Sequence, residues 1–206
     1  MKGNLIIISS PSGGGKGTLI REVLEQLPDA GYSVSLTTRA PRFGEENGKH
    51  YHFVTRERFE EAIQKGEFLE YAEVHGNLYG TSATQIEKMT SAGFDVILEI
   101  DVQGASKVRA KVPDVISIFI LPPSFEILQA RLTARATEGA DDLALRLHNS
   151  IEEVRQYKDF DYIVVNDDVP TASRKLGSII LAERQRRDRQ SEAVQGILGS
   201  FERSKL

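Results

Sequence analysis

The 206-residue chain carries 30 acidic and 26 basic side chains, a formal net charge of −4, and no cysteine. Its 40% hydrophobic content suffices for one substantial core with a smaller inserted lobe. This composition excludes disulfides, thiolate catalysis and cysteine-ligated zinc, and it sets aside broad nucleic-acid or anionic-membrane binding, so an anionic ligand must be held by local basic residues.

The chain begins with a continuous apolar run, "NLIIIS" (Asn4 to Ser9), as expected of a parallel strand covered on both faces. It runs straight into the glycine loop "SPSGGGKGT". Beyond the loop, Leu19, Val23, Leu24 and Leu27 recur at helical spacing up to Pro28. "YSVSLTTRAPR" reads as a second strand ending in a loop with Arg39 and Arg42, and "RFGEENGKHYHFV" as a hairpin turning at Asn47-Gly48. "TRERFEEAIQKG" is a short helix opened by a Thr cap and closed by Gly66.

"EFLEYAEVHGNLYGTS" reads as another hairpin, turning at Gly76-Asn77, and "ATQIEKMTSAG" as a helix closed by Gly93. "FDVILEID" is a buried strand with acids at its C-terminal end, and the helix "VQGASKVRAKV" comes next. "VISIFIL" is a third apolar strand, "SFEILQARLTARA" an amphipathic helix capped by Ser124, and "TEGADDLALRLHNSIEEVRQYKDF" a longer charged helix. "DYIVVND" is the last strand, before a charged helix and a frayed polar tail from about Gln190. Apolar strands alternating with helices predict an α/β core on a parallel sheet, with an inserted antiparallel lobe at roughly residues 35 to 90. Ligands of such sheets sit beyond the C-terminal strand ends, where Ser10, Arg39, Asp101 and Asn166 fall.

Targeting and metal-binding signals are weak. The apolar run before Ser9 is too short for a signal segment, and no run approaches the roughly 18 residues that cross a bilayer. His50, His52, His75 and His148 lack metal-ligand spacing, and the pair His50/His52 reads as surface. The terminal Ser204-Lys205-Leu206 matches a peroxisomal address, a minor alternative to a cytoplasmic location.

The glycine loop departs twice from the general phosphate-loop pattern, with Ser10 at the first Gly position and Gly17 after Lys16. A working cradle needs inward backbone N–H groups, a helix N-terminus behind them and a Lys reaching the outer phosphates. Gly13, Gly14, Gly15 and Lys16, between a buried strand and an amphipathic helix, meet that need. Gly17 removes the hydroxyl that usually binds Mg²⁺. Either Thr18 substitutes, or phosphates and water hold the ion.

With "SSPSGGGKGT", "SVSLTTRAPRFGEENGKHYHFV", "FLEYAEVHGNLYGTS", "LEIDVQGA" and "IVVNDD" in this order, the chain resembles the guanylate kinase family over roughly residues 4 to 188. The resemblance implies a core of residues 1–34, 91–130 and 157–206, a GMP-binding lobe of 35–90 and a lid of 131–156. It implies ATP binding at Ser10, Pro11, Ser12, Gly13, Gly14, Gly15, Lys16, Gly17, Thr18, Arg131 and Asn166. Arg39, Arg42, Tyr51 and Tyr79 match the positions that hold the GMP phosphate. Ser35, Glu70, Thr81 and Asp101 match those that read guanine. Glu99, which the resemblance also places among the GMP-binding residues, and Asp101 resemble an acid pair near the metal and phosphates, with Asp101 the more important. Lys16, Arg39, Asp101, Arg135 and Arg146 are the candidate catalytic residues. The family commonly has Gly where this chain has Ala136, a change at the lid hinge that removes no functional group.

The activity this resemblance implies is an ATP:GMP (and dGMP) phosphotransferase working by direct in-line transfer with Mg²⁺, with no covalent enzyme intermediate. Oligomeric state is left open. Two rivals stand beside it: a kinase of the same architecture with another monophosphate acceptor, and a catalytically inactive guanylate-kinase-like module that binds phosphopeptides.

Overall fold

The computed structural model describes residues 2–74, 76–134 and 140–204. Two sheets organise the chain. The larger is fully parallel, in the order β2 (Ala30–Tyr32), β7 (Asp95–Glu99), β1 (Leu5–Ser9), β8 (Ile116–Leu121), β9 (Tyr162–Val165). β1 lies at its centre because Ile6, Ile7 and Ile8 are apolar on both faces and wholly buried.

One face of this sheet packs on α1 (Lys16–Gln26) and α7 (Val169–Arg184), with Leu19, Val23, Leu176 and Ile180 meeting Ile6, Ile8 and Ile118. The other face packs on α3 (Ala83–Ser91) and α4 (Val102–Lys111), where Ile86, Ala105 and Val108 meet Ile7, Val96 and Leu98. The remaining helices are α2 (Arg56–Gln64), α5 (Phe125–Ala134), α6 (Ala140–Arg155) and α8 (Ser191–Arg203).

The second sheet runs β4 (His52–Phe53), β3 (Leu36–Thr37), β6 (Asn77–Ser82), β5 (Phe68–Val74). α2 closes it, and Phe59, stacked on Phe68 at 4.5 Å between centroids, fills a small separate core with Ala62 and Leu78. α2 begins where its sequence signal placed it: the Thr55 hydroxyl accepts from the Arg58 N–H, and Gly66 takes φ 67° just past the end. β5 and β6 form the expected antiparallel hairpin, with Gly76 at φ 74° in the turn.

Three expectations are corrected. The strand read from Tyr32 up to the loop with Arg39 and Arg42 is divided between two strands in different sheets. β2 ends at Tyr32, the Ser33 N–H makes a last bond to the Ile97 carbonyl, and β3 then pairs antiparallel with β6. Alternation with period two continues through that crossing, so the sequence shows no break.

The stretch 42–54 is not a hairpin. Gly48 turns with φ 80°, but β4 joins β3 in parallel, and the charged residues between Arg42 and Lys49 form a loop instead. The segment after Gln190 is not a frayed tail: residues 191–203 form α8, with Val194, Ile197, Leu198 and Phe201 exposed at helical spacing. No helix among the described residues is long and apolar enough to cross a membrane.

Candidate active site

The C-terminal ends of β2, β7 and β1 open into a cleft of about 780 Å³. Ser10, Pro11, Gly13, Gly14, Gly15, Lys16, Gly17 and Thr18 line one wall, and Glu45, Lys49, His50 and Tyr51 face them from the loop before β4. Gly13 and Gly15 have φ of 83° and 91°, the left-handed region that glycine enters without strain. Gly15 has a second reason to be glycine: a Cβ there would sit 2.4 Å from Asn166 Nδ2, which donates to the Gly14 carbonyl at 2.9 Å. Asn166, only 2% exposed at the end of β9, thus fastens the loop from behind.

Lys16 opens α1 and reaches back to Ser10 Oγ at 3.3 Å, and Ser10 Oγ in turn donates to the Pro11 carbonyl. The ammonium therefore lies across the loop mouth at a helix N-terminus, where backbone N–H groups and the helix dipole favour an anion. Gly17 faces the Glu99 carboxylate, both of whose oxygens are 3.7 Å from where a Cβ would stand. Glu99 also accepts from the Tyr32 hydroxyl at 3.3 Å. Burial, with the Glu99 charge adding, pushes that phenol well above its ordinary range.

A second cavity of about 250 Å³ adjoins the cleft and shares Tyr51 and Glu99 with it. Its walls include Ser35 at the crossover between the sheets, Glu70, Tyr79, Asp101 and Gly104. Glu70 is 6% exposed, and the Thr81 hydroxyl donates to its Oε1 at 2.6 Å. Burial holds the Glu70 carboxyl above the ordinary glutamate range; the Thr81 bond pulls it down and the Asp101 charge pushes it up. The other oxygen, Oε2, lies 3.4 Å from where a Gly104 Cβ would stand, so glycine leaves its approach open. Asp101 caps α4 through the Gly104 N–H at 2.7 Å.

The conjunction is specific: a phosphate cradle, a lysine at its mouth, and in the wall of the adjoining cavity a buried carboxylate held from behind by a threonine hydroxyl. A family model described as "Guanylate kinase" matches residues 2–183.

The chain belongs to the guanylate kinase family.

It is 49% identical over 197 residues to the guanylate kinase of Neisseria meningitidis serogroup A, covering 96% of each chain. It is 48% identical over 199 residues to that of Aliivibrio fischeri, again over 96% of each. The crystal structure of guanylate kinase from Anaplasma phagocytophilum superposes with a TM-score of 0.80 at 35% identity, covering 97% of this chain and 96% of that one.

Within this guanylate kinase-family site, some residues singled out in the sequence stand apart. Glu99 and Asp101 both line the smaller cavity, but only Glu99 also lines the cleft, where it faces the phosphate loop. Arg39 and Arg42 line neither cavity. Arg39 Nη2 instead lies 2.8 and 2.9 Å from the two Glu45 oxygens, beneath its cation–π contact with Tyr51, and the Arg42 N–H donates to the same carboxylate. That pairing pushes the Arg39 guanidinium up and holds Glu45 below the ordinary glutamate range. Tyr51 and Tyr79 meet edge-on at 5.9 Å.

Arg131, in the last turn of α5, donates to the Asn166 carbonyl at 2.9 Å, and Arg146 of α6 donates to Ser12 Oγ. Arg135 and Ala136 lie outside the described residues, as do His75, Lys205 and Leu206. Sequence reasoning missed Tyr32, Glu45 and Glu153. Their partners are Glu99, Arg39 and Ser12, and for Tyr32 and Glu153 those partners are 67 and 141 residues away. Only Glu45, six residues from Arg39, carried a local signal.

Proposed function

We propose that the chain transfers the γ-phosphoryl group of ATP to GMP, giving ADP and GDP, by direct in-line displacement. The observation that carries this reading is buried Glu70, held by the Thr81 hydroxyl, in the wall of a cavity that adjoins the phosphate-loop cleft. An ionised Glu70 accepts from guanine N1–H and the 2-amino group, and a hydroxyl donates to O6. Adenine offers an acceptor at N1 and a donor at its 6-position, leaving the carboxylate unpaired and the complex penalised.

In this reading Lys16 and the glycine-loop N–H groups hold the outer ATP phosphates, and Arg146 adds charge from the lid. Arg39 and Arg42, with the Tyr51 and Tyr79 phenols, take the GMP phosphate, which displaces Glu45 from the Arg39 fork. Ser35 and Asp101 complete the base cavity. Arg131 and Asn166 brace the loop on the adenine side. Residues 35–90 act as the GMP lobe and 131–156 as the lid, with Arg135 the second lid arginine. A phosphate oxygen is already a competent nucleophile, so no general base is required. Rate comes from alignment and charge neutralisation.

Among the described residues, no cluster of three or more His, Cys, Asp or Glu side chains could hold a metal ion alone. The donors at hand suit Mg²⁺ nonetheless. Glu99 faces Gly17 and Thr18 lines the cleft, two hard oxygen donors beside the space for ATP phosphates, which together with water supply the rest. The bound ion would draw charge from the bridging phosphate oxygens. We read the enzyme as cytoplasmic.

The test is an acceptor panel of GMP, dGMP, AMP and UMP, monitored by coupled ADP release with and without Mg²⁺. GMP and dGMP should turn over with kcat/KM at least about 10³-fold above AMP and UMP. Comparable rates with AMP or UMP contradict the assignment. Absence of turnover with every acceptor, alongside phosphopeptide binding, would favour the inactive module.

A further inference from the structure

Of residues 10–18, Ser12 alone does not line the cleft. Its polar groups turn instead toward a single helix, α6. The Ser12 N–H donates to Glu153 Oε2 at 3.0 Å, and Ser12 Oγ accepts from Arg146 Nε and Nη2 at 3.2 and 3.1 Å. The fully buried Ser150 stands 3.3 Å from the Ser12 carbonyl, but its one proton has a shorter partner in the Arg146 carbonyl at 2.7 Å. Residues 146, 150 and 153 are spaced i, i+4, i+7, one stripe of the helix.

We propose that Glu153 is a positioning residue: it anchors the lid helix to the phosphate loop through the Ser12 N–H and so holds Arg146 over the loop. The inference rests on the kinase reading above, and it moves Ser12 from phosphate ligand to lid anchor. A carboxylate beside an anion-binding loop opposes phosphate binding by charge, so its presence calls for a compensating role. Fixing α6 is that role. A long arginine reaches a transferring phosphoryl group productively only when its helix is already in place, and misplacement of about 1 Å suffices to cost roughly 10²-fold in rate. The base cavity and the Arg39 loop are built from other elements, so the effect should fall on turnover and leave GMP binding alone.

The experiment combines kinetics with amide exchange. Glu153→Ala should lower kcat at least about tenfold while the GMP KM stays within roughly twofold. Glu153→Gln keeps an acceptor for the Ser12 N–H and should stay within about threefold of wild type. The double variant Arg146→Ala/Glu153→Ala should be no slower than Arg146→Ala, because nothing remains to be positioned.

Independently of any variant's folding, the Ser12 amide of the free wild-type enzyme should exchange as slowly as the interior amides of α6. Rapid Ser12 exchange in wild type overturns the proposal. So do a Glu153→Ala kcat within twofold of wild type and losses that multiply in the double variant. A protected Ser12 in a chain that does not phosphorylate GMP supports the anchor and overturns the kinase reading.

Discussion

Replacing Lys16 by alanine lowers kcat for GMP phosphorylation on the order of 10²- to 10³-fold, the usual loss when one preorganised charge at a developing anion is removed. The ammonium stands at the N-terminus of α1 and spans the loop mouth to Ser10. Its partner in the free protein is thus a neutral hydroxyl, so its removal strands no buried carboxylate. The melting temperature should therefore move little, by about 2 °C or less, while turnover collapses. The measurement is a steady-state rate at saturating GMP and ATP beside a thermal melt. Turnover within threefold of wild type would remove the loop from the mechanism.

The second large effect concerns Glu70 and has opposite signs in stability and in activity. Glu70→Gln should cut kcat/KM for GMP by about 10²–10³, since the amide sets a donor against the N1–H and amino donors of guanine. AMP should react no worse than with wild type, because an amide matches the acceptor and donor that adenine presents. The GMP:AMP preference therefore falls by the same factor or more.

Stability moves the other way. Burial holds the Glu70 carboxyl above the ordinary glutamate range in the folded chain. Below the ordinary value the residue is neutral in both states and folding bears no penalty. As pH rises from the ordinary value through the raised folded value, the buried charge increasingly opposes folding. Glu70→Gln, neutral throughout, should thus melt higher than wild type at pH 7–8. The difference should vanish towards about pH 4. A variant that is less stable at neutral pH, or that keeps its guanine preference, contradicts the role assigned to Glu70.

What the sequence disclosed depends on how local each feature is. The β1–loop–α1 unit is contiguous: an unbroken apolar strand, glycines needing positive φ and an amphipathic helix all lie within residues 4–27. The caps of α2 and α4, Thr55 and Asp101, are likewise bonded to N–H groups three residues on. The break between β2 and β3 was illegible because both strands share one alternating pattern, and only their different pairing partners elsewhere in the chain tell them apart. The Asn47-Gly48 turn was real, but the strand after it pairs in parallel with β3, and the Arg39–Glu45 pair ties the intervening loop back to the end of β3. α8 read as a tail because its apolar residues are interspersed with polar ones, and in the structure none of them is buried.

In the site, residue types were legible and their directions were not. Glu99 and Asp101, two apart at one strand end, both line the base cavity, but the strand ends at Glu99, which also faces the phosphate loop, and Asp101 beyond it caps α4. Ser12 sits in the middle of a phosphate loop and yet does not line the cleft, its N–H and Oγ being bonded to α6. No spacing rule conveys that, because it is set by a helix more than 130 residues further on.

The proposed function rests above all on one phosphoryl group moving directly from ATP to GMP. Incubating the wild-type protein with γ-labelled ATP, Mg²⁺ and GMP tests this most directly. All transferred label should appear in the β-phosphate of GDP, one per ADP formed, with no labelled protein and inversion of configuration at a chiral phosphorus. Label released as inorganic phosphate or retained on the protein would contradict the account.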